Sequence, residues 1–237
     1  MMLENLLEAV DRFGCAATPR IFADEQIETL LDCLSKIEVS DSAGRKNNSL
    51  YGVRNLLNLS PKIREFSESR KIKDVVESVL GENAQPVRAI FFDKTPEANW
   101  KVPWHQDLTI AVKEKRETEG FTAWTRKAGI QHVQPPVSLL ENMLAIRIHL
   151  DNNDETNGVL KVIPGSHKSG RLSAEAIQNL RKTSNIKICA AKRGEAFLMR
   201  PLTVHSSSAG TNPTHRRVIH IEFTAESLPN SLEWYGS

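Results

Sequence analysis

The stretch Met143-Leu-Ala-Ile-Arg-Ile-His-Leu-Asp151, MLAIRIHLD, alternates strictly: Leu144, Ile146, Ile148 and Leu150 fall on one side of an extended chain, and Ala145, Arg147, His149 and Asp151 on the other. Successive side chains of a strand point to opposite faces, so this reads as a two-faced β-strand. Arg216 to Phe223 repeats the design, with Arg217, Ile219, Ile221 and Phe223 against Arg216, Val218, His220 and Glu222. An antiparallel sheet with its polar face to water gives such a pattern. So does a double-sheet jelly roll whose polar face lines a cavity.

The upstream sequence favours the jelly roll. Leu3, Leu6, Leu7 and Val10 share one helical face, and Ile27, Leu30, Leu31 and Leu34 repeat it after a cap expected at Asp24. A third helical pattern runs from about Ile63 to Leu80, broken near Arg70, and stops at Gly81, a residue suited to a left-handed cap. Amphipathic helices need an apolar surface to cover, and the apolar faces of the strands supply one. From Val87 onward short apolar runs alternate with Pro, Gly and Asn turns, interrupted by a short surface helix that starts at a capping Ser173. The expectation is a single domain over 1–237, mainly β with α: mainly helical support over 1–82 and a double-stranded β-helix core over 83–225.

Composition narrows the function classes. The 237 residues carry 31 basic and 29 acidic side chains, a net charge of +2, without the clustered positive field that nucleic-acid binding requires. No apolar run approaches membrane-spanning length. The first residues, MMLENLLEAVDRFG, lack a basic leader region and a small-residue cleavage site, so they are expected to form a helix rather than a signal. Cys15, Cys33 and Cys189 are odd in number and widely spaced, against a disulfide framework or a zinc site. A cytoplasmic protein acting on a small molecule, with neither nucleic acid nor membrane as partner, is the expectation.

The chemistry concentrates around Val102-Pro-Trp-His-Gln-Asp-Leu-Thr109, VPWHQDLT. In an extended chain His105 and Asp107 share a face, and two donors on one face can chelate an ion. An isolated His-x-Asp is more often a plain surface pair, so a third donor is required. His205 lies about a hundred residues on, at the end of a short apolar strand. Two imidazoles and one carboxylate on one side of an ion form the facial triad of non-haem iron(II) oxygenases, leaving positions open for cosubstrate and dioxygen. Arg216 follows eleven residues later on a polar strand face, where its planar fork can grip a carboxylate.

Four segments together resemble the phytanoyl-CoA dioxygenase family of iron(II)- and 2-oxoglutarate-dependent oxygenases: Pro103-Trp-His-Gln-Asp107, Asn157-Gly158 through Pro164-Gly165-Ser166-His167, Pro201 to His205 with Ser207, and Arg216. The resemblance implies a double-stranded β-helix with helices packed on the larger sheet. It implies iron(II) on His105, Asp107 and His205, with Arg216 gripping the distal carboxylate of 2-oxoglutarate and the Ser207 hydroxyl assisting. Arg147 stands where the family faces the cosubstrate, often with an aromatic side chain, and is a departure. The implied reaction consumes O2, releases succinate and carbon dioxide, and hydroxylates an unactivated C–H bond of a small molecule. A noncatalytic binding module on the same fold, or a cupin-like metalloenzyme that does not use 2-oxoglutarate, are the alternatives.

Substrate-facing residues are less determined by sequence. Trp104, Trp124, Lys94, Arg54 and His220 are the candidates, with His149 and His220 on inward strand faces. Residues 111–140 carry mixed charges, Trp124, Gly129 and Pro135-Pro136 with little periodicity, and are expected to form a lid loop.

Overall fold

The computed structural model describes residues 2–38, 43–46 and 49–237, with backbone alone for residues 2–4, 43–46, 49 and 50; the side chain of Leu3 is thus outside what is described. The helices are α1 (Met2–Phe13), α2 (Asp24–Ser35), α3 (Leu56–Leu59), α4 (Pro61–Ser67), α5 (Arg70–Leu80), α6 (Val137–Glu141) and α7 (Ala174–Thr183). The strands are β1 (Cys15–Ala17), β2 (Ala43–Lys46), β3 (Ser49–Val53), β4 (Gln85–Lys94), β5 (Val102–His105), β6 (Ile110–Val112), β7 (Thr122–Lys127), β8 (Ile130–Gln134), β9 (Met143–His149), β10 (Leu160–Val162), β11 (Lys187–Cys189), β12 (Ala196–Met199), β13 (His205–Ser207) and β14 (Arg216–Thr224).

Local chemistry sets the helix ends. Ser60 caps α4 by accepting the Ile63 N–H, and Pro61 occupies the first helical position, where its missing donor costs nothing. The helical pattern breaks after Ser67, and α5 ends at Gly81 with φ of 81°. Ser173 caps α7 through the Ala176 N–H. In α2 the cap is Ala23, not Asp24. Asp24 is instead the first helical residue, where the helix dipole favours its charge and Arg20 and Arg193 pair with it.

The strands build a seven-stranded sheet in the order β1-β12-β9-β14-β4-β3-β2 and a four-stranded sheet, β11-β10-β13-β5. Every pair in them is antiparallel. The register of β14 aligns its faces with its neighbours: Ile219 and Ile221 sit opposite Phe91 and Ala89 of β4 and beside Ile148 and Ile146 of β9. These residues form one buried cluster with Val10 of α1, Ile27 and Leu30 of α2, Ile63 of α4 and Ile72 and Val76 of α5. The helices therefore cover the apolar face of the larger sheet, and the polar face turns inward, as in a jelly roll.

The first third of the chain, mainly helical, also contributes β1, β2 and β3, which extend the larger sheet at both edges. One feature departs from the sequence expectation. Residues 111–140 are no irregular loop: they hold nearly all of a three-stranded sheet, β6-β8-β7, followed by α6. Its apolar side, Ile110, Val112, Phe121 and Val133, packs with Leu140, Leu232 and Trp234.

Candidate metal centre

His105 and His205 are direct partners across the antiparallel pair of β5 and β13, with ring centroids 4.2 Å apart. The Nδ1 of His105 lies 2.8 Å from the Pro103 carbonyl, and that of His205 2.9 Å from the Thr203 carbonyl. A carbonyl only accepts, so each Nδ1 carries the hydrogen and each Nε2 keeps its lone pair. Burial foremost pushes the His205 imidazolium down to about 4, so the ring is neutral near pH 7.

Asp107 lies beyond the end of β5, so its side chain is aimed by a loop and not by the strand pleat. The loop is well fastened. The Asp107 N–H donates to the Pro201 carbonyl at 2.9 Å, and buried Gln106 donates to the carbonyls of Gly170 and Leu202 while accepting the Leu172 N–H. The Asp107 carboxylate then stands with Oδ1 3.7 Å from His105 Nε2 and Oδ2 3.7 Å from His205 Nε2. These separations are too long for hydrogen bonds. The three donor groups lie within 4.8 Å of one another. Burial opposes the Asp107 charge, but His205 and then His105 outweigh it and hold the carboxyl below its ordinary range. Two imidazole Nε2 atoms and a carboxylate facing one point fit a divalent transition metal such as iron(II).

The triad opens into a cavity of about 440 Å³. Arg216 and Arg147 line it, and both are buried. The Arg216 backbone is tied to Asp93 by an N–H donation of 3.1 Å, while its Nε and Nη1 have no partner within the protein. Burial first and Arg147 second work against its charge, down to about 9. Buried donors without acceptors are costly, and a ligand carboxylate against this guanidinium would supply an acceptor. The residues thus fit an anionic cosubstrate beside the metal. Arg147 gives an Nη1 to His220 Nδ1 at 3.3 Å and keeps an unpartnered Nε.

The remaining sequence candidates divide. Ser207 lines the cavity, but its hydroxyl donates to the Gly158 carbonyl and accepts from Lys94 Nζ at 2.7 Å. Arg54 and His220 line the cavity too. Lys94 does not face substrate space: it is fully buried, binds Ser207 and the Ser208 carbonyl, and lies 5.7 Å from the Trp100 ring centroid. Burial, then Arg216 and Arg147, lower its ammonium to about 7. Trp104 points away from the triad into an apolar cluster with Ile163, Ile177 and Val204. Trp124 packs on the three-stranded sheet and does not line the cavity.

Among the lining residues that the sequence reading did not single out are Arg88, Trp100, Lys127 and Glu222 as a pocket acid. The signal for two of them was present, because Arg88, Ile90, Phe92 and Lys94 alternate with the core residues of β4 and pair with the inward face of β14. Arg88 meets Glu222 at 3.1 Å, and His220 Nε2 lies 3.7 Å from the same oxygen.

A model of the phytanoyl-CoA dioxygenase family matches residues 10–218. No curated protein matches the sequence. Among solved structures, EctD from S. alaskensis with 2-oxoglutarate and 5-hydroxyectoine has a TM-score of 0.72 at 18% identity, covering 93% of this chain and 75% of that one. AviO1 from Streptomyces viridochromogenes Tue57 has a TM-score of 0.66 at 22% identity, covering 95% and 96%. The non-haem α-ketoglutarate-dependent carbocyclase SnoK from nogalamycin biosynthesis has a TM-score of 0.70 at 14% identity, covering 94% and 86%. At these identities the likeness shows the fold, a double-stranded β-helix.

Proposed function

This chain belongs to the phytanoyl-CoA dioxygenase family and is an iron(II)- and 2-oxoglutarate-dependent oxygenase; on that premise we propose that His105, Asp107 and His205 hold its iron, that Arg216 anchors its 2-oxoglutarate, and that it hydroxylates a C–H bond of a small molecule. When bound, iron and 2-oxoglutarate supply the oxidising chemistry, in which O2 is consumed and the keto acid leaves as succinate and carbon dioxide. The protein supplies orientation and exclusion of water. Pro103 and Thr203 fix the imidazole tautomers, Gln106 fixes the loop between the ligands, and the Arg216 fork takes the distal carboxylate. Lys94 holds Ser207, so Ser207 shapes the wall more than it donates to the cosubstrate.

The observation that carries this reading is the convergence of three donor groups within 4.8 Å beside a buried arginine with two unpartnered nitrogens. That arginine also favours the oxygenase over a metalloenzyme that does without 2-oxoglutarate. Small-molecule substrates are supported by EctD and SnoK, whose ligand and pathway are of that kind. Lys127 of the β7–β8 hairpin lines the cavity, which supports a lid role for that hairpin. No helix among the described residues is long and apolar enough to cross a membrane, and three free buried cysteines support a cytoplasmic location.

The test is anaerobic iron(II) titration of His105→Ala, Asp107→Ala and His205→Ala. Loss of an outer partner costs a metal site about 10–100-fold, so loss of a ligand should cost at least that, with succinate release abolished. Parent-like affinity in any one variant removes that residue from the triad.

A further inference from the structure

We propose that the substrate of this oxygenase is an organic anion whose oxyanion group is held at the outer end of the cavity by Arg54, Arg88 and Lys127. The three cations reach the cavity from three separate elements: Arg54 just after β3, Arg88 within β4, and Lys127 at the end of β7. Cations brought together by tertiary structure differ from a charge run along one solvated face. They line the same space as the metal triad.

The charge balance of the cavity sets the sign of what it takes. Its lining carries five cations, Arg54, Arg88, Lys127, Arg147 and Arg216, against two carboxylates, Asp107 and Glu222. Iron(II) and the 2-oxoglutarate dianion cancel each other, so loading the site leaves that excess standing. Glu222 is already engaged by Arg88 and His220. Arg54 and Lys127 are exposed and make no ion pair among the described residues. Partial burial beside the cavity and then mutual repulsion work against charges that stay partly open to solvent: Arg54 is lowered by burial and then Arg88, and Lys127 by burial, Arg88 and Arg54. An anion placed among them relieves that repulsion, and a neutral substrate does not. Arginine forks beside a lysine suit phosphate and carboxylate alike. A space of about 440 Å³ suits a small ligand.

The inference rests on the oxygenase reading for the direction of the substrate, with its anionic end outward and a C–H bond toward the triad. Phenyl phosphate, benzoate and benzyl alcohol serve as probes, titrated calorimetrically and anaerobically into iron-loaded protein saturated with 2-oxoglutarate, which blocks Arg216. At least one anionic probe should bind about tenfold or more tighter than benzyl alcohol. The gap should weaken with added salt and close in the double variant Arg54→Gln, Lys127→Gln. A separate titration with 2-oxoglutarate checks the cosubstrate site of that variant. A tenfold preference for phenyl phosphate or for benzoate identifies the oxyanion, and either supports the proposal. Benzyl alcohol binding as tightly as both anions, or an undiminished gap in the double variant, overturns it. If 2-oxoglutarate fails to bind the parent while the gap persists, the role of Arg216 falls and the anion site stands.

Discussion

Arg216 shows how much one residue decides. The residue is 3% exposed and lines the cavity, its backbone is fastened to Asp93, and its Nε and Nη1 have no partner within the protein. A lysine keeps the charge but offers one point donor in place of a fork. Arg216→Lys should therefore raise the KM for 2-oxoglutarate about tenfold or more while kcat at saturating cosubstrate falls far less. A KM that stays put, with weakened binding of the prime substrate instead, would transfer the anchor to Arg147. The triad and Arg216 were legible in the sequence because each combines a distinctive residue type with a distinctive spacing. Lys94, Trp104 and Trp124 were not, because their roles depend on side-chain direction and on which neighbour claims the polar atom. Lys94 alternates inward as a pocket residue should, yet Ser207 and Ser208 take its ammonium and Trp100 covers it.

At the scale of elements, alternation revealed β9 and β14 because each has one apolar and one polar face in a filled interior. It missed β7 because that strand is exposed on both sides apart from Trp124, so no alternation is imposed on its sequence. The turn joining β7 to β8 is similarly disguised. Lys127 pairs with Ile130, leaving Ala128 at φ 49° and Gly129 at φ 77°, a two-residue turn with both central residues left-handed. Asn-Gly is the usual sequence there, and alanine in that conformation costs about 1–2 kcal/mol. Ala128→Asn should recover about 1 kcal/mol and raise Tm by about 2–4 °C in a chain of this size. The hairpin tip faces open space, with nothing near a Cβ at Gly129, so no packing change offsets the gain. A Tm that is unchanged or lower in thermal denaturation would show that the turn is not limiting or not formed.

For the whole molecule, a jelly roll that turns its polar faces inward must bury basic groups, and stability then depends on pH. His132, His149 and His205 are 1–5% exposed, and burial foremost lowers them to about 4, 3 and 4. In the unfolded chain a histidine titrates near 6.5. Between those values the unfolded state binds protons that the folded state refuses, so this contribution is whole above about pH 6.5 and is lost as pH falls toward 4. Each such group removes about 1.4 kcal/mol per pH unit in that window. Lys94 acts with the same sign higher up: lowered to about 7, it makes stability rise with pH from there toward the ordinary lysine range. Asp93, raised by burial, acts in the opposite sense in the carboxylate range. Against a total stability of about 5–15 kcal/mol, the three histidines take a large share from the metal-free chain in mild acid. His149 isolates the effect, because it is no ligand and its Nδ1 has no partner to orphan. In urea titrations from pH 6 to 4, the parent's unfolding free energy should fall steeply, and His149→Leu should reduce that slope by about a third. Iron(II), which competes with the proton at His205 and not at His149, should shift the acid midpoint downward in parent and variant alike. Equal slopes in the two proteins would mean that His149 titrates normally, and that the arginine-lined interior admits more water than its burial implies.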